Sequence, residues 1–215
     1  MLRAGRQTLF AWTDVITHAN QGYRTLSIST EHTQLISRFV QELSLAGGQT
    51  RQVHDLAQLV SAIADILRER QTGRLLVAAD NLITELDLVT RLRAKGIEVI
   101  TSDEPAQVAQ LEVGLTGALA AVASSGTLLL AGGASLASLL PPLHLALIRA
   151  EQIEPDLTGV WPLLGQAIRT GERELCLITG PSKTADIEQT LVQGVHGPGE
   201  LIVIILSEDE PGGQP

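Results

Sequence analysis

GRLLVAADNLITELDLVTRLRAKGIEVI, from Gly73 to Ile100, decides how the whole chain is read. Leu75-Leu76-Val77-Ala78-Ala79 is a short apolar run between Gly73 and Asp80-Asn81. Such a run, bounded by turn residues, suits a strand buried on both faces of a parallel sheet. A helix is expected from about Glu85, with Gly96 as its stop, and Ile97-Glu98-Val99-Ile100 is the next strand. Strand, helix and strand in one short stretch set the rhythm of a layered α/β fold.

The rhythm extends both ways. On the N-terminal side, Leu35, Ile36, Phe39, Val40 and Leu43 recur at helical steps across Glu31–Leu45. Thr30 can cap that helix and Gly47-Gly48 ends it. An extended piece is expected around Val53. Asp55 then opens a second helix with Leu56, Leu59, Val60, Ile63, Ile66 and Leu67 on one face. The segment to about Asn20 is weakly patterned.

On the C-terminal side, Asp103-Glu104-Pro105 reads as a helix start. Gly114, Gly117 and Gly126 are too many glycines for a helix over Val113–Ala131. Two extended stretches, 113–123 and 127–131, joined by a turn at Ser124-Ser125-Gly126, fit better. This glycine-rich hairpin interrupts the alternation as an insertion in the parallel sheet. A short helix over Ser135–Leu140 stops at Pro141-Pro142, and a strand follows over His144–Ile148. Then come a helix over Pro155–Thr170 with Pro162 near its middle, a strand over Glu174–Thr179, a helix over Thr184–Gln193 and a buried strand over Leu201–Leu206. The acidic, Gly- and Pro-rich tail from Ser207 to Pro215 is expected to fray. The reading is a single domain over residues 1–215: an α/β fold with a mostly parallel layered sheet and helices on both faces.

Charge narrows the function classes. Fifteen Lys and Arg stand against 24 Asp and Glu, a net charge of −9. Such a chain is repelled by nucleic-acid phosphates and anionic lipid unless it carries a basic patch, and its arginines are scattered. Neither a nucleic-acid nor a membrane partner is expected. No run approaches a membrane span and the start lacks a signal peptide's apolar core, so the reading is cytoplasmic. The single cysteine, Cys176, lies in Leu175-Cys176-Leu177-Ile178, where a buried inert thiol is expected. One cysteine holds no iron–sulfur cluster. His18, His32, His54, His144 and His196 have no metal-site spacing, so no metal and no cofactor are assigned within this chain.

Two loops combine a strand end with unusual residues. The first runs Ile178-Thr179-Gly180-Pro181-Ser182-Lys183-Thr184. If a helix starts at Ser182–Thr184, its free N–H groups attract an anion and Lys183 adds a charge. The alternative is that Ser182 caps the helix and Lys183 is solvated. The second loop joins Val113-Gly114-Leu115-Thr116-Gly117-Ala118 to Ser124-Ser125-Gly126-Thr127. Small residues there admit a ligand, or only tight strand packing. His196 lies in a glycine-flanked turn before the last strand. The candidate ligand residues are thus Gly114, Thr116, Gly117, Ser124, Gly126, Thr127, Gly180, Ser182, Lys183, Thr184 and His196, with no catalytic residue assigned.

These blocks, with Leu139-Leu140-Pro141-Pro142-Leu143-His144 and Gly194-Val195-His196-Gly197-Pro198, give the sequence from about Val113 to Leu206 a resemblance to the lactate-utilization protein C family, the LUD domain group. The resemblance implies a fold similar to ribose-5-phosphate isomerase, glucosamine-6-phosphate deaminase and the CoA transferases. It also implies a role as a clusterless subunit in oxidation of L-lactate to pyruvate, beside iron–sulfur partner proteins. Two alternatives stay open: an enzyme for a phosphate or CoA ligand held by residues 180–183, and a non-catalytic scaffold or regulator. Family members usually carry an acidic residue where this chain has Ser124, and often Asp where it has Leu119. In related CoA transferases a glutamate of such a loop is the nucleophile. Ser124 has no visible base, so a covalent mechanism is not carried over.

Overall fold

In a computed structural model of the chain, residues 30–102, 104–131, 135–169, 175–185, 191–193 and 197–207 are described. The weakly patterned start, the tail beyond Ser207 and His196 lie outside them. Helix α1 (Thr30–Leu45) precedes strand β1 (Gln49–Val53). Helix α2 (Leu56–Glu69) is capped by the Asp55 carboxylate, which accepts from the Gln58 N–H. Its period-3.6 stripe is buried at Leu59, Val60, Ile63, Ile66 and Leu67.

Strand β2 (Arg74–Val77) follows. The helix expected from Glu85 is two shorter ones, α3 (Asn81–Glu85) and α4 (Leu88–Ala94). Asp87 between them takes φ 46°, a left-handed conformation no helix continues through. Strand β3 (Glu98–Ile100), helix α5 (Pro105–Val108) and strand β4 (Val113–Gly117) come next. Strands β5 (Ala120–Val122) and β6 (Thr127–Ala131) precede helix α6 (Ser135–Leu139) and strand β7 (Leu143–Arg149). A 3-10 turn over Ala150–Gln152 leads to β8 (Ile153–Glu154) and helix α7 (Leu157–Arg169). The last strands are β9 (Leu175–Thr179), β10 (Lys183–Ala185), β11 (Leu191–Gln193) and β12 (Glu200–Leu206).

Six strands form one sheet in the order β1-β12-β7-β4-β2-β3. All five pairings are parallel. Both faces are covered, which is why these strands read as continuous apolar runs. On one face Leu75, Val77, Leu115, Leu145 and Ile204 pack against α2, α3 and α4. On the other, Leu76, Ala146, Ile148, Val203 and Ile205 meet Ile36, Phe39 and Leu43 of α1, with Val108 and Ala137.

Four expectations are corrected. Residues 113–123 are not one arm of a hairpin inserted in the parallel sheet. Strand β4 stays in that sheet, whereas β5 turns into a separate four-stranded sheet, ordered β8-β5-β6-β9, where it pairs antiparallel with β6. The break falls at Ala118-Leu119: the Ala118 N–H bonds Leu147 of the first sheet and the Leu119 N–H bonds Leu129 of the second. Strand β9 does not continue the parallel alternation, because it pairs antiparallel with β6 at the edge of the second sheet. Helix α7 lies over β5 and β8 and buries Val160 there. Cys176 on β9 is exposed rather than buried. Finally, the helix expected over Thr184–Gln193 is absent from the residues described there. Lys183–Ala185 and Leu191–Gln193 are strands, paired Lys183 to Gln193 and Ala185 to Leu191.

Candidate functional site

The sequence's site residues fall into two groups. The first lies at the switch point of the parallel sheet. From β2 the chain goes outward to β3 and then returns to β4 on the other side of β2. Open α/β sheets gather ligands at the carboxyl ends of strands where the order reverses in this way. Here those ends are tied together. The Asp80 carboxylate, directly after β2, accepts from the Ile83 N–H at 2.9 Å and caps α3. It also accepts from the Gly117 N–H at the end of β4. Burial raises the Asp80 carboxyl above the usual aspartate value, and the Ile83 and Gly117 N–H donors pull it back.

Gly117 is small because of that clamp: a Cβ there would stand 2.5 Å from Asp80 Oδ1. Gly114 is small because α6 crosses it, and a Cβ would run into the Ala137 carbonyl oxygen. Thr116 is fully buried, its Oγ1 2.9 Å from Nε2 of His144. His144 sits in β7, opposite Gly114 in register. Burial holds its imidazole neutral, lowering its pKa from 6.5 to about 4. In this group, therefore, Gly114, Thr116 and Gly117 are engaged by the fold itself.

The second group sits at one corner of the antiparallel sheet. Thr127 and Thr179 are register partners on β6 and β9. Their hydroxyl oxygens are 2.6 Å apart, and Ser125 Oγ is 2.7 Å from Thr127 Oγ1. The ladder runs from the exposed Ser125, through Thr127, to the exposed Thr179. Gly126 and Gly180 bracket it, with φ of 62° and 73°. Both turns press on the last turn of α1: a Cβ at Gly126 would strike the Leu43 backbone, and one at Gly180 would lie 2.6 Å from the Ala46 carbonyl oxygen. Left-handed backbone and close approach together make glycine the residue that fits.

Ser182 follows. Its N–H donates to the Pro198 carbonyl at 2.9 Å, and a Cβ on Gly197 would lie 3.3 Å from Ser182 Cβ. Ser182 is thus seated beside residues 197–198. Ser124 is half-buried and its N–H bonds the Pro155 carbonyl at 3.1 Å. Lys183 and Thr184 belong to β10, so a helix N-terminus does not supply the anion-binding donors expected there. The structure brings Ser125, Gly126, Thr127, Thr179 and Gly180 together, with Ser182 two residues further on, against residues 197–198.

Asp80 escaped the sequence reading. Its signal was present, an Asp-Asn pair directly after an apolar run, but that pair reads equally as a plain helix cap. Among the described residues no group of three His, Cys, Asp or Glu is placed to hold a metal ion, and no helix is long and apolar enough to cross a membrane.

The profile of the LUD domain family matches residues 36–206. Lactate utilization protein C of Halalkalibacterium halodurans is 31% identical over 161 residues, covering 70% of each chain. The uncharacterized protein YkgG of Escherichia coli K12 is 32% identical over 170 residues, covering 71% of each. Lactate utilization protein C of Bacillus subtilis is 37% identical over 105 residues, covering 46% of this chain and 44% of the relative. The crystal structure of a DUF162 family protein from Deinococcus radiodurans superposes with a TM-score of 0.62 at 23% identity, covering 84% of this chain and 99% of that one. That likeness shows a common fold.

Proposed function

This chain belongs to the LUD domain family, and on that premise we propose that it serves lactate utilization as a clusterless component of a cytoplasmic system oxidising L-lactate to pyruvate. The observation that supports the reading is the similarity to relatives named lactate utilization protein C, two of which are 31% and 37% identical to it. The oxidation removes two electrons, and they must pass to a redox cofactor. One cysteine cannot ligate an iron–sulfur cluster; the recipients in this reading are the iron–sulfur partner proteins that the family resemblance implies. The test is deletion of the coding sequence in the source cell followed by growth on L-lactate, with affinity capture of the tagged chain. Loss of growth on lactate alone, and recovery of iron–sulfur proteins, is the expected result. Unimpaired growth with no such protein captured overturns the proposal.

The hydroxyl ladder favours a second reading, in which the corner at Ser125, Thr127, Thr179, Gly180 and Ser182 binds a small carboxylate, phosphate or CoA ester. Three hydroxyls carry three protons and share two hydrogen bonds. One O–H is left to donate to an acceptor outside the ladder. The carbonyl end of α1 beside it opposes an anion, so Lys183, next in sequence, supplies the favourable charge. Lactate, inorganic phosphate and CoA, titrated calorimetrically, should show one binder whose affinity falls in Lys183→Ala and Ser182→Ala. No heat from any of the three removes this reading and leaves the first untouched.

A further inference from the structure

Helix α7 has two apolar faces. One buries Val160 against Ala120, Val122 and Leu129, with Leu163 and Leu164 beside them. The other is a stripe of Leu157, Trp161 and Ile168, spaced by four and seven residues and so on one side of the helix. Among the described residues nothing covers that stripe: Trp161 is 68% exposed and Ile168 63%. Apolar residues scattered singly on a surface need no partner, but a continuous stripe marks a face that another segment covers.

The chain's own start is attached beside this face. The antiparallel sheet has α1 on one side, through Ile36, Phe39 and Leu43, and α7 on the other. Strand β8 is the edge between the two helices. Helix α1 touches β8 and the 3-10 turn before it, and near its start Nε2 of His32 stands 2.9 Å from the Ala150 carbonyl oxygen. Pro155 and Asp156 alone separate β8 from α7. Residues 1–29 are thus joined to the body at the edge that leads to the stripe.

From this juxtaposition we propose that residues 1–29 cover the Leu157, Trp161 and Ile168 stripe of their own chain. Their composition suits that face. Phe10, Trp12 and Tyr23 lie there, three of the five aromatic residues in the chain, with Leu9, Val15 and Ile16 among them. Such rings carry large apolar areas to bury. Their charge suits it too. Arg3, Arg6 and Arg24 stand against Asp14, whereas the rest of the chain has 12 Lys and Arg against 23 Asp and Glu. Glu151, Glu154 and Asp156 stand just before α7 and are exposed or half-buried. Length is sufficient, because residues 17–29 reach up to about 43 Å when extended, roughly twice the length of a 13-residue helix. Attachment selects this segment over a free partner, since a covalently joined group meets its site at an effective concentration of about a millimolar. A second copy would bring its own net charge of −9 instead. The inference does not rest on the lactate reading.

Trp161 reports the cover. In a full-length Trp12→Phe chain it is the sole tryptophan, and its emission should be blue-shifted and weakly quenched by acrylamide. Adding Phe10→Asp and Ile16→Asp, which set carboxylates against an apolar face, should raise the quenching constant about threefold or more, with circular dichroism as the check on folding. A Cys176→Ser/Trp161→Cys chain carrying a benzophenone on its thiol gives a second measurement that needs no aspartate. Irradiation of isotope-labelled and unlabelled chains mixed together should join it to a peptide within residues 1–29 of the same chain. A Trp161 quenched as freely as N-acetyltryptophanamide overturns the proposal, as does shielding indifferent to both aspartates in a folded chain. Shielding that varies with protein concentration, or products joining labelled to unlabelled chains, assigns the stripe to a second copy and overturns it as well.

Discussion

At the residue scale, His144 couples burial to acidity. Its ring is fully buried and neutral, and its pKa falls from 6.5 to about 4 on folding. The unfolded chain therefore binds the proton more readily than the native one below pH 6.5. Stability should be insensitive to this group above pH 6.5 and decline as pH falls toward 4, by about 3 kcal/mol over the whole window. Urea unfolding across that range should show the slope, and His144→Asn should flatten it whatever its own cost. Asp80 and Gly117 give a second prediction. Gly117→Ala drives a Cβ against the Asp80 carboxylate and should cost about 1–3 kcal/mol, the usual penalty of overpacking. Asp80→Ala strips an acceptor from the Ile83 and Gly117 N–H groups and should cost about as much. Together they should cost less than their sum, because the second change removes the clash of the first; additive values from denaturant melts would refute the clamp. The sequence showed Gly117 as a small residue and gave the reason as a ligand or packing. The side chain that decides, Asp80, lies 37 residues away in sequence, and no local pattern points to it.

At the element scale, what was legible depended on how local the cause was. Strands β2, β7 and β12 announce themselves because both their faces are buried, which demands apolar runs from each strand alone. Strand β9 carries the same kind of run for a different reason, and its place at an antiparallel edge is set by β6, far off in the chain. The segment from Thr184 to Gln193 failed similarly. Its Ser-Lys-Thr start suits a helix cap, yet Thr184 and Val192 are β-branched and face each other in register across the β10–β11 pair. Helix α7 was legible, Pro162 included. That proline lacks the N–H the helix needs and crowds the preceding turn. Pro162→Ala should raise the melting temperature, with about 3 kcal/mol as the ceiling of the gain. In the second sheet, Thr127→Val should cost about 1 kcal/mol by removing the middle rung between Ser125 and Thr179. Thermal melts of both variants check these values.

At the scale of the whole molecule, the two sheets differ in how well they are held. Residues at the centre of the six-stranded sheet, such as Leu145, Ala146, Val203 and Ile204, are fully buried. The edge of the second sheet is half open, and Trp161 on the helix covering that sheet is 68% exposed. Amide exchange followed by mass spectrometry should find β4, β7 and β12 protected longest, with β9, β10 and β11 released first as a sub-global unit. Uniform protection would deny the division.

The order of the large sheet sets a timetable for biosynthesis. Among the described residues strand β1, at residues 49–53, pairs only with β12, at residues 200–206. A ribosome adding about 5–20 residues per second leaves β1 without its neighbour for roughly 7–30 s. Throughout that interval Val53 and the apolar stripe of α2 have no completed sheet to rest on. The nascent chain therefore keeps that apolar surface uncovered until the strand destined for its interior has left the exit tunnel.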